Sequence, residues 1–99
     1  MTKTIYLNNE ETNYTIDEFG TIINTTSGKN LKGTITEHGY KKIMFSHKGK
    51  KIGKYLHRLM AIYFLNFDET SSQIINHKDG NKLNNCLENL EVLSASENL

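Results

Sequence analysis

The chain has 99 residues, 12 Lys and Arg against 11 Asp and Glu, and one cysteine. That length suits one domain spanning residues 1–99, and Leu, Ile, Val and Phe number 25, enough for a modest core. A single cysteine excludes an internal disulfide framework and a multi-cysteine zinc site. No apolar run approaches the ~18 residues that cross a bilayer. Residues 1–6 lack the apolar stretch of an export signal. A soluble cytoplasmic protein with no membrane partner is expected.

The balanced total hides an asymmetry. Residues 29–58 carry Lys29, Lys32, Lys41, Lys42, Lys48, Lys50, Lys51, Lys54 and Arg58 against Glu37 alone. Two readings stand: a solvated lysine face, or the footprint of a polyanion whose phosphates release counterions on binding. Lysine predominates over arginine, which suits backbone contacts better than bidentate base reading.

In chain order, Tyr14–Ile16 and Thr21–Asn24 flank an Asp-Glu-Phe-Gly turn. Turns at Ser27–Asn30, Glu37–Gly39 and Lys48–Lys50 separate further β-rich runs. A small antiparallel sheet over residues 14–55 is predicted. The period then changes. Leu56, Leu59, Met60, Tyr63, Phe64 and Phe67 recur at helical spacing, which predicts an amphipathic helix over 56–67. A short strand, Gln73–His77, leads into the polar loop Lys78–Asn85. A second strand covers Leu90–Leu93. Ser94 with Glu97 three residues on reads as a helix start. The overall class is α+β.

Strand, loop, strand and helix over residues 73–99 make a finger that can bring His77 near Asn98. The residues His57-Arg58-Leu59, Asn76-His77-Lys78-Asp79-Gly80-Asn81-Lys82, Asn84-Asn85, Glu88-Asn89-Leu90 and Glu97-Asn98 resemble the HNH endonucleases of the phage and intron-homing type. The likeness covers roughly residues 14–98. It implies a C-terminal ββα-metal finger with a short terminal helix behind the β-rich basic segment and the central helix. It also implies metal-dependent hydrolysis of DNA phosphodiester bonds. His77 matches the general base, and an imidazole titrating near neutral pH can take a proton from attacking water. Asn89 matches the residue that ties the loop and fixes His77.

Asn76 and Asn98 match the two ligands of one divalent ion, Mg²⁺ or Mn²⁺. Asn76 offers an oxygen but no charge, and Asp is common at that position in the family. No zinc is expected, because Cys86 has no Cys or His partner at zinc spacing. The DNA backbone would lie on Lys41, Lys42, Lys50, Lys51, Lys54 and Arg58, although Arg58 could equally pair with a carboxylate. Supporting roles fall to His57 through a structural hydrogen bond, and to Asp79 and Asn81 in shaping the loop. Asn84 and Asn85 are expected to bond loop backbone. His38 and His47 read as surface residues. The alternative is an HNH-like binding module without catalysis, taking nucleic acid, a nucleotide signal or a host defence protein. Assembly into a homo-oligomer is open on either reading.

Overall fold

The computed structural model describes residues 1–94. Strand β1 (Thr2–Leu7) turns into β2 (Glu10–Asp17) through Asn8 and Asn9, both at positive φ (53° and 64°). Two successive left-handed residues make the two-residue hairpin turn whose twist matches that of the strands. Strand β3 (Ile22–Asn24) pairs on the other edge of β2. A second sheet follows, with β4 (Thr34–Ile35), β5 (Lys41–His47) and β6 (Lys50–Tyr55) in that order. Lys48 and Gly49, again both at positive φ, close the β5–β6 hairpin.

Two differences from the expected pattern appear here. The expected single sheet over 14–55 is two three-stranded sheets, and β1 enters from Thr2, well before residue 14. The Asn8-Asn9 pair was the available signal, since Asn tolerates left-handed φ better than most residues.

Alternation along the strands builds the core. Ile5, Leu7, Tyr14, Ile16 and Ile22 of the first sheet are buried, with Ile43 and Phe45 of the second. Tyr14 joins the two sheets: its ring meets Phe45 edge-on at 4.8 Å, and its hydroxyl bonds the Ser46 carbonyl and amide, each at 3.2 Å. Helix α1 (Leu56–Phe64) lays Leu56, Leu59 and Met60 on the same cluster, as its apolar stripe requires.

The helix is shorter than the predicted 56–67. Asn66 turns left-handed (φ 54°), and the Leu65 and Phe67 amides both donate to the Ala61 carbonyl. A left-handed Asn just past the last turn satisfies the orphan carbonyls and stops the helix. Phe67 is buried (9% exposed) by this chain reversal, with the Arg58 guanidinium 5.6 Å over its ring.

Strands β7 (Ile74–His77) and β8 (Leu90–Leu93) then form an antiparallel ladder pairing Asn76 with Glu91 and His77 with Leu90. Leu90 anchors this finger to the core. The terminal helix, Glu97 and Asn98 lie outside the described residues.

Candidate active site

His77 ends β7, and the chain leaves it in a tight turn closed by the Gly80 amide on the His77 carbonyl. The ring is buried, 7% exposed. Asn85 presents its amide oxygen to Nε2 at 2.9 Å. Nε2 therefore carries the hydrogen, and the lone pair of the neutral ring sits on Nδ1. Asn85 is itself buried, and its Nδ2 has no hydrogen-bond partner among the described residues. This differs from the backbone role expected of Asn85.

The loop between the strands is held by its own amides. The Asp79 carboxylate accepts from the Asn81 amide (2.7 Å), the Asn89 side chain (2.9 Å) and the Asn84 side chain (2.9 Å). These donors, Asn84 foremost, hold the Asp79 carboxyl below the usual carboxylate range. Asn89, 8% exposed, bonds in both directions: its oxygen accepts the Asp79 amide at 3.2 Å, and its Nδ2 also reaches the Asn84 carbonyl at 2.9 Å. The Asn81 oxygen accepts the Leu83 amide. Asn89 thus fixes the peptide next to Asn85, and Asn85 holds His77. Asn84 bonds the Asp79 side chain, where a backbone partner was expected.

Aromatic rings wall the other side of His77. Tyr40 stacks on His57 (4.8 Å, 27°), and the His57 ring lies 5.5 Å from that of His77. Tyr55 lies 5.7 Å from His57. Burial first, then the neighbouring His77 and Arg58, pushes the His57 imidazole down to about 4. His57 supports the site as a neutral stacked ring. The structural hydrogen bond expected of it is absent at Nδ1, which is buried without a partner among the described residues. His47 also departs from expectation. It is mostly buried and bonds Glu10 at 3.1 Å, and Lys48 pairs with the same carboxylate. His38 is exposed.

The expected lysine footprint divides between two faces. Directly opposed residues of an antiparallel pair share a face, and neighbours along a strand alternate. The β5–β6 register puts Lys42, Met44 and Ser46 with Tyr55, Gly53 and Lys51 on the outer face. Lys42 lies 5.6 Å over the Tyr55 ring and so borders the Tyr40–His57–His77 wall. Gly53 keeps this face flat: a Cβ there would meet the Lys42 and Met44 side chains at 2.5 and 2.9 Å. Lys41, Lys50 and Lys54 take the opposite parity, with Ile43 and Phe45. Arg58 is turned to Phe67.

Sequence reasoning missed three neighbours of the site. Lys82 lies 4.8 Å over Tyr40 and donates to the His38 carbonyl. Tyr40 falls within the stretch that carries the family resemblance, but no role at the site was expected of it. Glu91 accepts a hydrogen bond from Asn76 Nδ2 at 2.8 Å, and could have been found by counting back the strand register from His77.

The donor chemistry fits a hard divalent ion. No group of three His, Cys, Asp or Glu side chains clusters among the described residues. The oxygens on offer are an amide carbonyl at Asn76 and the adjacent Glu91 carboxylate, ligands of the Mg²⁺ and Mn²⁺ type.

His77, buried and bonded to Asn85, thus ends the first strand of a two-stranded finger that packs on α1. Residues 54–99 match the family model described as HNH endonuclease, and the chain is similar to the members of that family. The chain is 44% identical over 90 residues to YosQ of Bacillus subtilis (strain 168), an SPbeta prophage-derived protein named as a putative HNH homing endonuclease; the match covers 90% of this chain and 51% of YosQ. It is 36% identical over 89 residues to the DNA endonuclease I-HmuI of Bacillus phage SP01, covering 90% of this chain and 51% of that one. A solved structure of I-HmuI, described as DNA binding and cleavage by that homing endonuclease, superposes with a TM-score of 0.83 at 34% identity. It covers 99% of this chain and 55% of I-HmuI. The chain thus spans about half the length of these relatives.

Proposed function

We propose that the protein is a metal-dependent DNA endonuclease that hydrolyses phosphodiester bonds, with His77 as the general base. The observation that carries this is the His77–Asn85 bond. It fixes the tautomer, so Nδ1 is the nitrogen with a free lone pair. A water beside Nδ1 gives up a proton to the ring as its oxygen bonds to phosphorus, and the bond from phosphorus to the leaving oxygen breaks. Burial of the ring and its aromatic neighbours hold the imidazole in one orientation for that transfer. Asn89 and Asp79 keep the loop closed around Asn85. Asn76, with Asn98 as the second ligand that the resemblance implies, would hold one Mg²⁺ or Mn²⁺ ion, which would supply charge stabilisation to the phosphate. Lys42 and Lys51 on the outer sheet face carry the DNA backbone toward the finger, with Lys41, Lys50, Lys54 and Arg58 as secondary contacts. The naming of I-HmuI as a DNA-cleaving relative supports DNA as the substrate, and the host cytoplasm is where such substrate lies.

The test is nicking of supercoiled plasmid with and without Mg²⁺. His77→Ala is expected to lower the rate by a factor on the order of 10²–10⁴, the usual share of a general base. DNA binding with no Mg²⁺-dependent nicking by the wild type would replace this reading with that of a binding module.

A further inference from the structure

We infer that Glu91 is the positioning residue of the metal site: it orients the Asn76 amide and supplies the negative charge that an Asn ligand lacks. The inference rests on the nuclease reading. Asn76 and Glu91 are directly opposed across the β7–β8 ladder, so their side chains share a face. Asn76 Nδ2 donates to Glu91 Oε1 at 2.8 Å. An amide has one donor end and one acceptor end. A carboxylate that captures the nitrogen leaves Oδ1 as the outward atom, which is the end a hard cation takes. The bond is charge-assisted and therefore stronger than an amide–amide contact.

No ion pair among the described residues neutralises Glu91. Among the described residues, the other acids of the finger lie apart from Asn76. Asp79 is taken up by three donors of its own loop, and Glu88 lines a recess with Phe19 and Cys86. The charge expected at position 76 is thus displaced by one hydrogen bond, onto the neighbouring strand.

The test is an NMR titration of the ¹⁵N-labelled full chain with Mn²⁺, with and without a short DNA duplex, following paramagnetic broadening of the residue 76–78 amides. Glu91→Gln keeps an acceptor for Asn76 but removes the charge. It is expected to weaken local Mn²⁺ binding about tenfold, since a full charge within a few ångströms is worth more than a dipole. Asn76→Asp with Glu91→Gln moves the charge back to position 76 and is expected to return affinity to within about threefold of wild type, a non-additivity that a merely structural residue would not show. Glu91→Gln with wild-type Mn²⁺ affinity overturns the inference while leaving the nuclease reading intact. If Glu91→Gln alone fails to fold, failure of the double variant to bind Mn²⁺ overturns it equally. A wild-type chain with no broadening at 76–78 in either condition overturns the nuclease reading, and this inference with it.

Discussion

In the two three-stranded sheets, the side chains that water does not reach are Ile5, Leu7, Ile16, Ile22, Ile43 and Phe45. In the finger, Leu90 is accompanied by His77, Asn85 and Asn89, polar groups buried nearly as deeply. The first region is held by apolar area, which is non-directional and degrades gradually as side chains shrink. The second is held by amide and carboxylate bonds. Each is worth little net, and each leaves a costly orphan when one partner is removed. A loop that must hold side chains in fixed directions needs that second kind of adhesive, because hydrogen bonds fix directions and dispersion does not. The finger sits against the shared core through Leu90, with Ile75 and Leu87 half-buried beside it: the sheets provide most of the apolar burial, and the finger adds directional bonds.

The contrast is broken most strongly at Phe45. Phe45→Ala is expected to cost about 4 kcal/mol of global stability, read by urea unfolding, because a fully buried ring leaves a cavity. Asn89→Ala is expected to cost about 2 kcal/mol, since it leaves Asp79 and the Asn84 carbonyl short of a donor. Its effect should be local: hydrogen exchange should quicken across residues 78–89 and not in β1, β2 or β5. A uniform quickening would show that finger and sheets unfold as one unit.

A pH experiment sharpens the border between the regions, where His57 sits. Its folded pKa of about 4 lies below the ordinary 6.5. The unfolded chain therefore binds the proton first, and stability is full above about pH 6.5 and falls as pH drops toward 4. After allowance for the partial exposure of the ring, about 1–2 kcal/mol should be lost over that window. His57→Phe should retain the stack on Tyr40 and flatten this part of the acid-unfolding profile. An unchanged profile would assign the acid sensitivity to other groups.

The smallest effect concerns the two lysine faces. Lys42→Gln with Lys51→Gln should reduce the salt slope of DNA binding by about 2, near 0.9 for each phosphate no longer neutralised. Lys41→Gln with Lys50→Gln, on the opposite parity, should change it by less. Equal slopes for the two pairs would mean that DNA wraps both faces.

Much of this molecule follows from local pattern. The α1 stripe, the β7 and β8 runs and the turn at Lys48-Gly49 were legible because each rests on neighbours within a few residues. The stretch from Asn76 to Asn89 carried the family resemblance, and two of its Asx bonds, at Asp79 and Asn81, close over two residues. Helix length was misread at Asn66, where a left-handed turn overrode the continuing apolar period up to Phe67. Beyond that the limit is distance along the chain. The division of residues 2–55 into two sheets depends on Tyr14 meeting Phe45 and Ser46, some thirty residues away. The stacking of Tyr40 on His57 joins a turn exit to a helix start. Which lysines share a face is set by the β5–β6 register, and a one-residue slip would exchange them. Asn85 meeting His77, and Glu91 meeting Asn76, are outcomes of strand pairing. Residue identity says that an amide and a carboxylate can bond; packing alone chooses the pair.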